Sequence, residues 1–465
     1  MKRRLLIQAA GPSALGFVGV GLPVLAHAQN RFSSYAGQTV RMSIPAHPHY
    51  DAMTKLLPEF TKQTGIKVEV DRQPVPRMKE IQLTELAKPQ GDFDLVCYVV
   101  MWKGEYVKKN FIQELSPFFS KSSLVDPDYE IKDIVPRYID NIGMVGGPKG
   151  YLPGPGAKLY GMPYGAETSV LAYRRDLFTK HKLTPPVTYD EMVKLLPVVK
   201  EKTGLGALTS RGQVGHQCVH AWLLHLNPLG GKVFDDKWNP TFNNETGINA
   251  LKTLKLIADT GPAGLANFSQ GDMTASFLQG QAAMYLDSSL IFGQVVNPSV
   301  SKVDKLVSYT LHPKGVRNAS QSGGLGLAIP KNAKNADAGF LLMQWLTSKA
   351  QDKEVCKLGG VPHRNSTLRD PEMFGRFPEY LTLRLQLLYS EPDWRPIIPE
   401  WDEINTQALG VAIHDGLTGK QTPERALDSV LPKVMEIMRR GDYYKTDGAG
   451  KPAPAPAPDV KKRPV

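Results

Sequence analysis

Cysteine is almost missing from this chain: Cys97, Cys218 and Cys356 are the only three in 465 residues. So few thiols cannot build a disulfide framework in a chain this long, although one pair could still be oxidised. Cys97 lies in the apolar run Leu95-Val96-Cys97-Tyr98-Val99-Val100, where a thiol serves as a small buried hydrophobe. Acids are in deficit as well, with 45 Asp and Glu against 56 Lys and Arg, a formal net charge of +11. Lys2, Arg3 and Arg4 supply part of that excess at the N-terminus, and the rest is scattered among acids. There is no basic stripe interleaved with aromatics, which argues against a nucleic-acid partner and for a soluble, basic surface. The chain also lacks a G-x-S-x-G elbow, a P-loop, and a G-x-G-x-x-G turn after a strand. Past the N-terminal segment no apolar run is long enough to span a membrane.

What is present begins at the ends. Lys2-Arg3-Arg4 precedes an apolar, Gly/Ala-rich stretch through Leu25, and Ala26-His27-Ala28 has the A-x-A cleavage pattern. Residues 1–28 are therefore expected to be a signal peptide cleaved near Ala28, with Arg3-Arg4 either a twin-arginine signal or an ordinary basic n-region. No cysteine stands at the cleavage point, so no lipid anchor is expected there. Residues 446–465 carry Pro-Ala-Pro-Ala-Pro-Ala-Pro and read as an extended, flexible tail.

Between the ends, strand and helix patterns alternate. Val40, Met42 and Ile44 predict a strand; Met53, Leu56, Leu57 and Phe60 a helix capped by Gly65; Ile66, Val68 and Val70 a second strand. Residues 78–87 read as a helix and 94–100 as a buried strand. Residues 160–178, YGMPYGAETSVLAYRRDLF, begin as a Gly/Pro loop, become an alternating strand around Glu167, and end in a helix entry. Helices are expected over 189–202 and 219–226, on the face of Ile248, Leu251, Leu254 and Ile257 up to Gly261, and over 273–278. A strand over 282–286, a Gly-started strand over 323–330, a long helix over 336–357 and a helical region over 371–440 complete the pattern. Thr422-Pro423-Glu424 supplies a cap, an N1 proline and a first-turn acid. The size and the alternation predict two α/β lobes built from discontinuous segments, with crossings near Glu167 and Gly324.

Four stretches carry a family resemblance: Tyr173-Arg174-Arg175-Asp176-Leu177-Phe178, FLQGQAAMYLD over 277–287, residues 323–338, and GKQTPERAL over 419–427. In that order they resemble the extracellular solute-binding proteins of ABC importers, the sugar-binding family that includes maltose-binding protein. The Arg211-Gly212 segment and residues 94–115 are most similar to its sorbitol- and mannitol-type binders. The resemblance implies the two-lobed type II periplasmic-binding-protein fold, with lobe 1 from 29–165 and 323–365 and lobe 2 from 166–322 and 366–445. It implies a periplasmic, monomeric receptor, not an enzyme, that needs no cofactor or metal. Such a receptor closes by a hinge over a sugar or polyol and delivers it to the permease subunits of an ABC transporter.

A sugar needs charged or planar groups for its hydroxyls and aromatic rings for its C–H face. Glu167 falls on the crossover where a family acid meets ligand, against a plain hinge salt bridge. Asp287 closes the FLQGQAAMYLD stretch, where a helix cap is the bland alternative, and Arg211 could fork onto two hydroxyls or form a structural pair. Tyr98 matches a family aromatic that contacts sugar. Trp102, Trp222, Trp394 and Trp401 are further stacking candidates, each more readily read as core, with Trp394 and Trp401 the best placed because they flank the proline-rich residues 395–399. Gly323 and Gly324 would let ligand approach the backbone, and His47 and Tyr50 stand in the first strand–helix loop, the usual α/β ligand edge. His216-Gln217-Cys218-Val219-His220 has zinc-protease spacing, but Gln217 stands where that chemistry needs a glutamate base, leaving zinc binding by His216, Cys218 and His220 as the only metal alternative. The remaining rivals are a glycosidase using Glu167 and Asp287, and the same fold binding a polyamine, a phosphate ester or an organic acid.

Overall fold

The computed structural model describes residues 31–146 and 153–444; the signal-peptide segment, its cleavage site and the Pro/Ala tail lie outside them. The strands are β1 (Thr39–Pro45), β2 (Lys67–Gln73), β3 (Leu95–Val99), β4 (Met144–Val145), β5 (Lys158–Leu159), β6 (Met162–Arg174), β7 (Gly206–Thr209), β8 (Ala282–Ser288), β9 (Val307–Thr310), β10 (Ser320–Ala328) and β11 (Ser390–Glu391). They form one sheet in the order β2-β1-β3-β10-β6-β8-β7, with β9 on β6, β11 on β10, and β4–β5 apart. β1 pairs in parallel with β2 and β3, as right-handed strand–helix–strand units require.

β6 joins the two halves of this sheet. Its first part, Met162–Thr168, pairs antiparallel with β10, and its second, Ser169–Tyr173, with β8. β10 in turn pairs through Leu325–Ala328 with β3. β10 and β6 therefore link the β2-β1-β3 half of the sheet to the β8-β7 half, and the change of partner falls at Thr168 and Ser169. Hydrogen bonds lock the change: Ser289 N donates to the Thr168 carbonyl at 2.8 Å, and Thr168 Oγ1 donates to the Gln321 carbonyl at 2.7 Å.

Several elements differ from the sequence pattern. β6 is longer than expected and buried at nearly every position up to Ala172, so its alternation of residue types does not become an alternation of burial; a strand covered on both faces has no polar side to keep. The single helix expected over 336–357 is two, Ala336–Leu346 and Lys349–Lys357. Arg364 Nε takes the Thr347 carbonyl at 2.6 Å, and Ser348 caps the second helix by accepting from Gln351 N. The helix expected from 219 starts at His216, and the one expected from 78 starts at Val75, with proline tolerated in its first turn. The C-terminal region is helical in pieces, broken by β11 and by residues 392–400, and ends in Pro423–Arg440, capped by Thr422 as its motif predicts. Gly65 takes φ 73° and closes Leu57–Thr64. All three cysteines are free and buried. No helix among the described residues is long and apolar enough to cross a membrane.

Candidate functional site

Where β6 changes partner, charges gather in the interior. β7 and β8 run in parallel, so the residues following one lie beside the end of the other. Arg211, just after β7, donates to Asp287 on β8 through Nε (2.8 Å) and Nη2 (2.6 Å), with side-chain exposures of 3% and 1%. This is a buried bidentate pair. Burial opposes the charge on Asp287, yet Arg211, and next His220, hold its carboxyl far below the ordinary value. Glu167 pairs across the sheet with Gly323, and its Oε2 accepts from the Ser288 hydroxyl. Burial raises its pKa, the Ser288 bond and Arg211 oppose the rise, and the Asp287 charge adds to it.

A second guanidinium completes the cluster. Arg395, in the segment after β11, lies with Cζ 4.7 Å over the Trp394 ring and is 4% exposed. Its Nε has no hydrogen-bond partner. Burial pulls its pKa down to about 10, with Glu167 opposing. His220 stacks edge-on to Trp394 at 5.2 Å and sits 3.6 Å from Asp287. Burial and Arg211 lower its pKa to about 4, so it is neutral, and neither ring nitrogen makes a hydrogen bond. The Tyr138 hydroxyl and Gln321 Nε2 are likewise buried without partners among the described residues, and Glu167 is the charge that acts most strongly on Tyr138. A cleft of about 730 Å³ opens beside the end of β8, between His47, Asp51 and Lys55 on one wall and Gln270, Thr274, Leu290 and Gln294 on the other. Ser288 connects cleft and cluster: its carbonyl accepts from Tyr285 and its hydroxyl from Leu290 N, two cleft-lining residues.

Two sheet halves sharing strands, with a polar cluster at the crossing and a cleft beside it, is the geometry of a two-lobed receptor, and the family described as bacterial extracellular solute-binding protein matches residues 46–353. The chain belongs to that family. A probable amino-acid ABC transporter periplasmic-binding protein of Sinorhizobium fredii is 27% identical over 462 residues, covering 96% of this chain and 100% of its own. A mannitol-binding protein of Pseudomonas aeruginosa is 26% identical over 390 residues, covering 78% and 84%. The crystal structure of an ABC transporter solute-binding protein from Agrobacterium radiobacter in complex with ribitol matches with a TM-score of 0.77 at 25% identity, covering 86% of this chain and 99% of that one. The fold is accordingly the two-lobed, type II periplasmic-binding-protein fold, and the protein is an ABC-transporter solute-binding protein.

Within this solute-binding fold, the structure brings together Glu167, Arg211, Asp287, Gly323 and Trp394. It places others in the packing. Tyr98 is fully buried between Gly161 and Gly326, its hydroxyl donating to the Ile142 carbonyl at 2.6 Å. Tyr50 donates to the Tyr164 carbonyl at 3.2 Å and Trp222 to the Gly247 carbonyl at 3.0 Å, both fully buried. Trp102 and Trp401 are buried with unpartnered indole nitrogens, and Lys79 Nζ lies 5.5 Å over the Trp102 ring. Trp394 is in the cluster, but its face carries Arg395 and its Nε1 donates to the Ser322 carbonyl at 2.6 Å. Gly324 has φ 100°, and an added Cβ would stand 2.4 Å from the Gly165 carbonyl oxygen, so close strand approach requires this glycine. His47 lines the cleft and accepts from His49 N at its helix start. Asp287 caps no helix; it accepts from Arg211 and from Ser288 N. Cys218 donates to the Gly215 and Gly410 carbonyls, and no metal-binding group of His, Cys, Asp and Glu occurs among the described residues. Sequence reasoning missed Arg395, Ser288, Tyr138 and Gln321, and weighed His220 only as a metal ligand. Opposite charges brought together from separate segments leave no periodic signal.

Proposed function

We propose that the protein captures a polyol or small sugar between its lobes and delivers it to the membrane permease of an ABC importer. The observation that carries this reading is the composition of the enclosed cluster. Two guanidiniums and two carboxylates balance, and around them stand neutral His220 and the partnerless polar atoms of Tyr138, Gln321 and Arg395. Such a set suits a ligand rich in hydroxyls, each able to donate and accept. The mannitol-binding relative and the ribitol complex support the same class. A polyamine fits poorly, because Arg211 and Arg395 oppose a cation. A glycosidase fits poorly too: Asp287 is held ionised by Arg211 and is already committed to it.

A second reading is an amino acid, suggested by the Sinorhizobium relative's name and favoured by Glu167 and Arg395 lying close together with opposite charges. Melting of the mature protein with ribitol, D-mannitol, D-sorbitol, maltose, putrescine and common amino acids separates the readings. A ligand at 1,000 times its Kd stabilises by about 4 kcal/mol. The polyols or sugars are expected to raise the Tm; a rise with amino acids or putrescine alone would reject the polyol reading. The same proposal includes export through residues 1–28 with cleavage near Ala28, a monomeric periplasmic protein, and hinges at Glu167 and Gly324. The proposed lobes are 29–165 with 323–365 and 166–322 with 366–445; the ion pairs Lys353–Asp370 (2.8 Å) and Lys357–Glu372 (2.9 Å), which tie helix Pro371–Arg376 to Lys349–Lys357, favour a return somewhat later than residue 366.

A further inference from the structure

The two arginines of the cluster are in different situations. Arg211 is committed: Nε and Nη2 are bound to Asp287, and Nη1 reaches Gln217 Oε1 at 3.5 Å. Turning it toward a ligand would strand the Asp287 carboxylate in the interior. Arg395 is buried as deeply, yet among the described residues it has only a tryptophan face and an electrostatic attraction to Glu167, and its Nε–H has no acceptor there. Gly323 stands between the two. Its strand partner is Glu167, and a Cβ built on it would lie 3.4 Å from Arg395 Nη2. Ser288 takes one oxygen of Glu167, Oε2. Acceptor and donor thus flank a stretch of backbone that carries no side chain.

We infer that Arg395 and Glu167, set side by side at Gly323, form the specificity-determining clamp for adjacent hydroxyls of the ligand, and that Arg211 with Asp287 only positions the site. This rests on the polyol reading for the ligand's identity, but the contrast between the two arginines does not. One hydroxyl accepts from the Arg395 guanidinium and its neighbour donates to Glu167. Trp394 holds Arg395 in place by its ring face and stays anchored through the Ser322 carbonyl.

The test compares Arg395→Gln and Arg395→Lys with Arg211→Gln, each read twice: apo melting temperature, and calorimetric Kd for D-mannitol, ribitol and whichever other solute of the panel shifts the wild type. Arg395→Gln is expected to keep or raise the apo melting temperature, since it removes a buried cation that makes no direct ion pair among the described residues and is only attracted by Glu167. It should weaken binding at least tenfold, with Arg395→Lys recovering part of the loss. Arg211→Gln is expected to lower the apo melting temperature markedly. Unchanged affinity in Arg395→Gln, or an apo loss as large as that of Arg211→Gln, would overturn the inference. If no polyol or sugar binds the wild type, the polyol reading fails; the apo contrast, and affinity for any amino acid that does bind, still decide the roles of the two arginines.

Discussion

Glu167, in its proposed role, shows how a binding group can work against the stability of the protein that carries it. Burial raises its pKa above the ordinary 4.5, so its folded value exceeds its unfolded one. Its stabilising contribution is complete below pH 4.5 and is lost as pH rises through the folded value, where ionisation leaves a desolvated carboxylate. Glu167→Gln keeps an acceptor for Ser288 and removes that cost. The apo melting temperature should stay level or rise, while binding weakens by about tenfold or more, since hydrogen bonds to charged groups contribute roughly 1.5–3 kcal/mol. Titration calorimetry and apo melting on one preparation check both halves; a fall in apo stability would make Glu167 structural. At this scale the sequence was partly legible. Glu167, Arg211 and Asp287 could be singled out because each stands in or beside a family-like stretch. Arg395 could not, because its segment after β11 has no period and its partner, Glu167, comes from a strand far away in the chain. The tryptophans were open to both readings for a plain reason: a large ring fills a core as readily as it stacks on a sugar.

Among the elements, β6 and β10 matter most, because each serves both halves of the sheet. Their contact is so close at Gly324 that a methyl group has no room, and its φ of 100° disfavours any other residue. Gly324→Ala should therefore destabilise by roughly 1–3 kcal/mol from backbone strain alone, read as a lower urea midpoint at unchanged m-value. A neutral result would show the crossing to be more yielding than its geometry implies. The order of strands and helices was readable from periodicity, and so were the glycine cap at Gly65 and the Thr422 cap. What periodicity could not show was coverage. A strand sealed on both faces looks like a half-buried one when small polar residues such as Thr168 and Ser169 satisfy themselves internally, as Thr168 does through Ser320 and Gln321. The break at Thr347 was also hidden, since Arg364, which claims that carbonyl, lies beyond the second helix.

Over the whole molecule, stability should depend on pH through a residue outside the charged cluster. Lys103 is fully buried, donating at 2.6 Å to the carbonyls of Asn141 and Met144, and burial lowers its pKa from 10.5 to about 7. Between those values the unfolded chain binds a proton that the folded protein does not, so stability rises from pH 7 toward pH 10.5. Urea midpoints should climb across this range in the wild type, and Lys103→Met should flatten the climb; an equal slope in both proteins would assign the effect elsewhere. In the inferred clamp, by contrast, the Arg395 half of the ligand choice comes from one short stretch. The backbone of residues 392–400 crosses from β11 to the helix at Trp401, outside the paired strands, and delivers Trp394 and Arg395 to the cluster. The inferred clamp thus draws Glu167 from the rigid strand β6 and Arg395 from a part of the chain outside the paired strands. Substituting within that stretch is a route to a receptor with altered taste and an intact hinge, because no β6–β10 pair has to be rewritten.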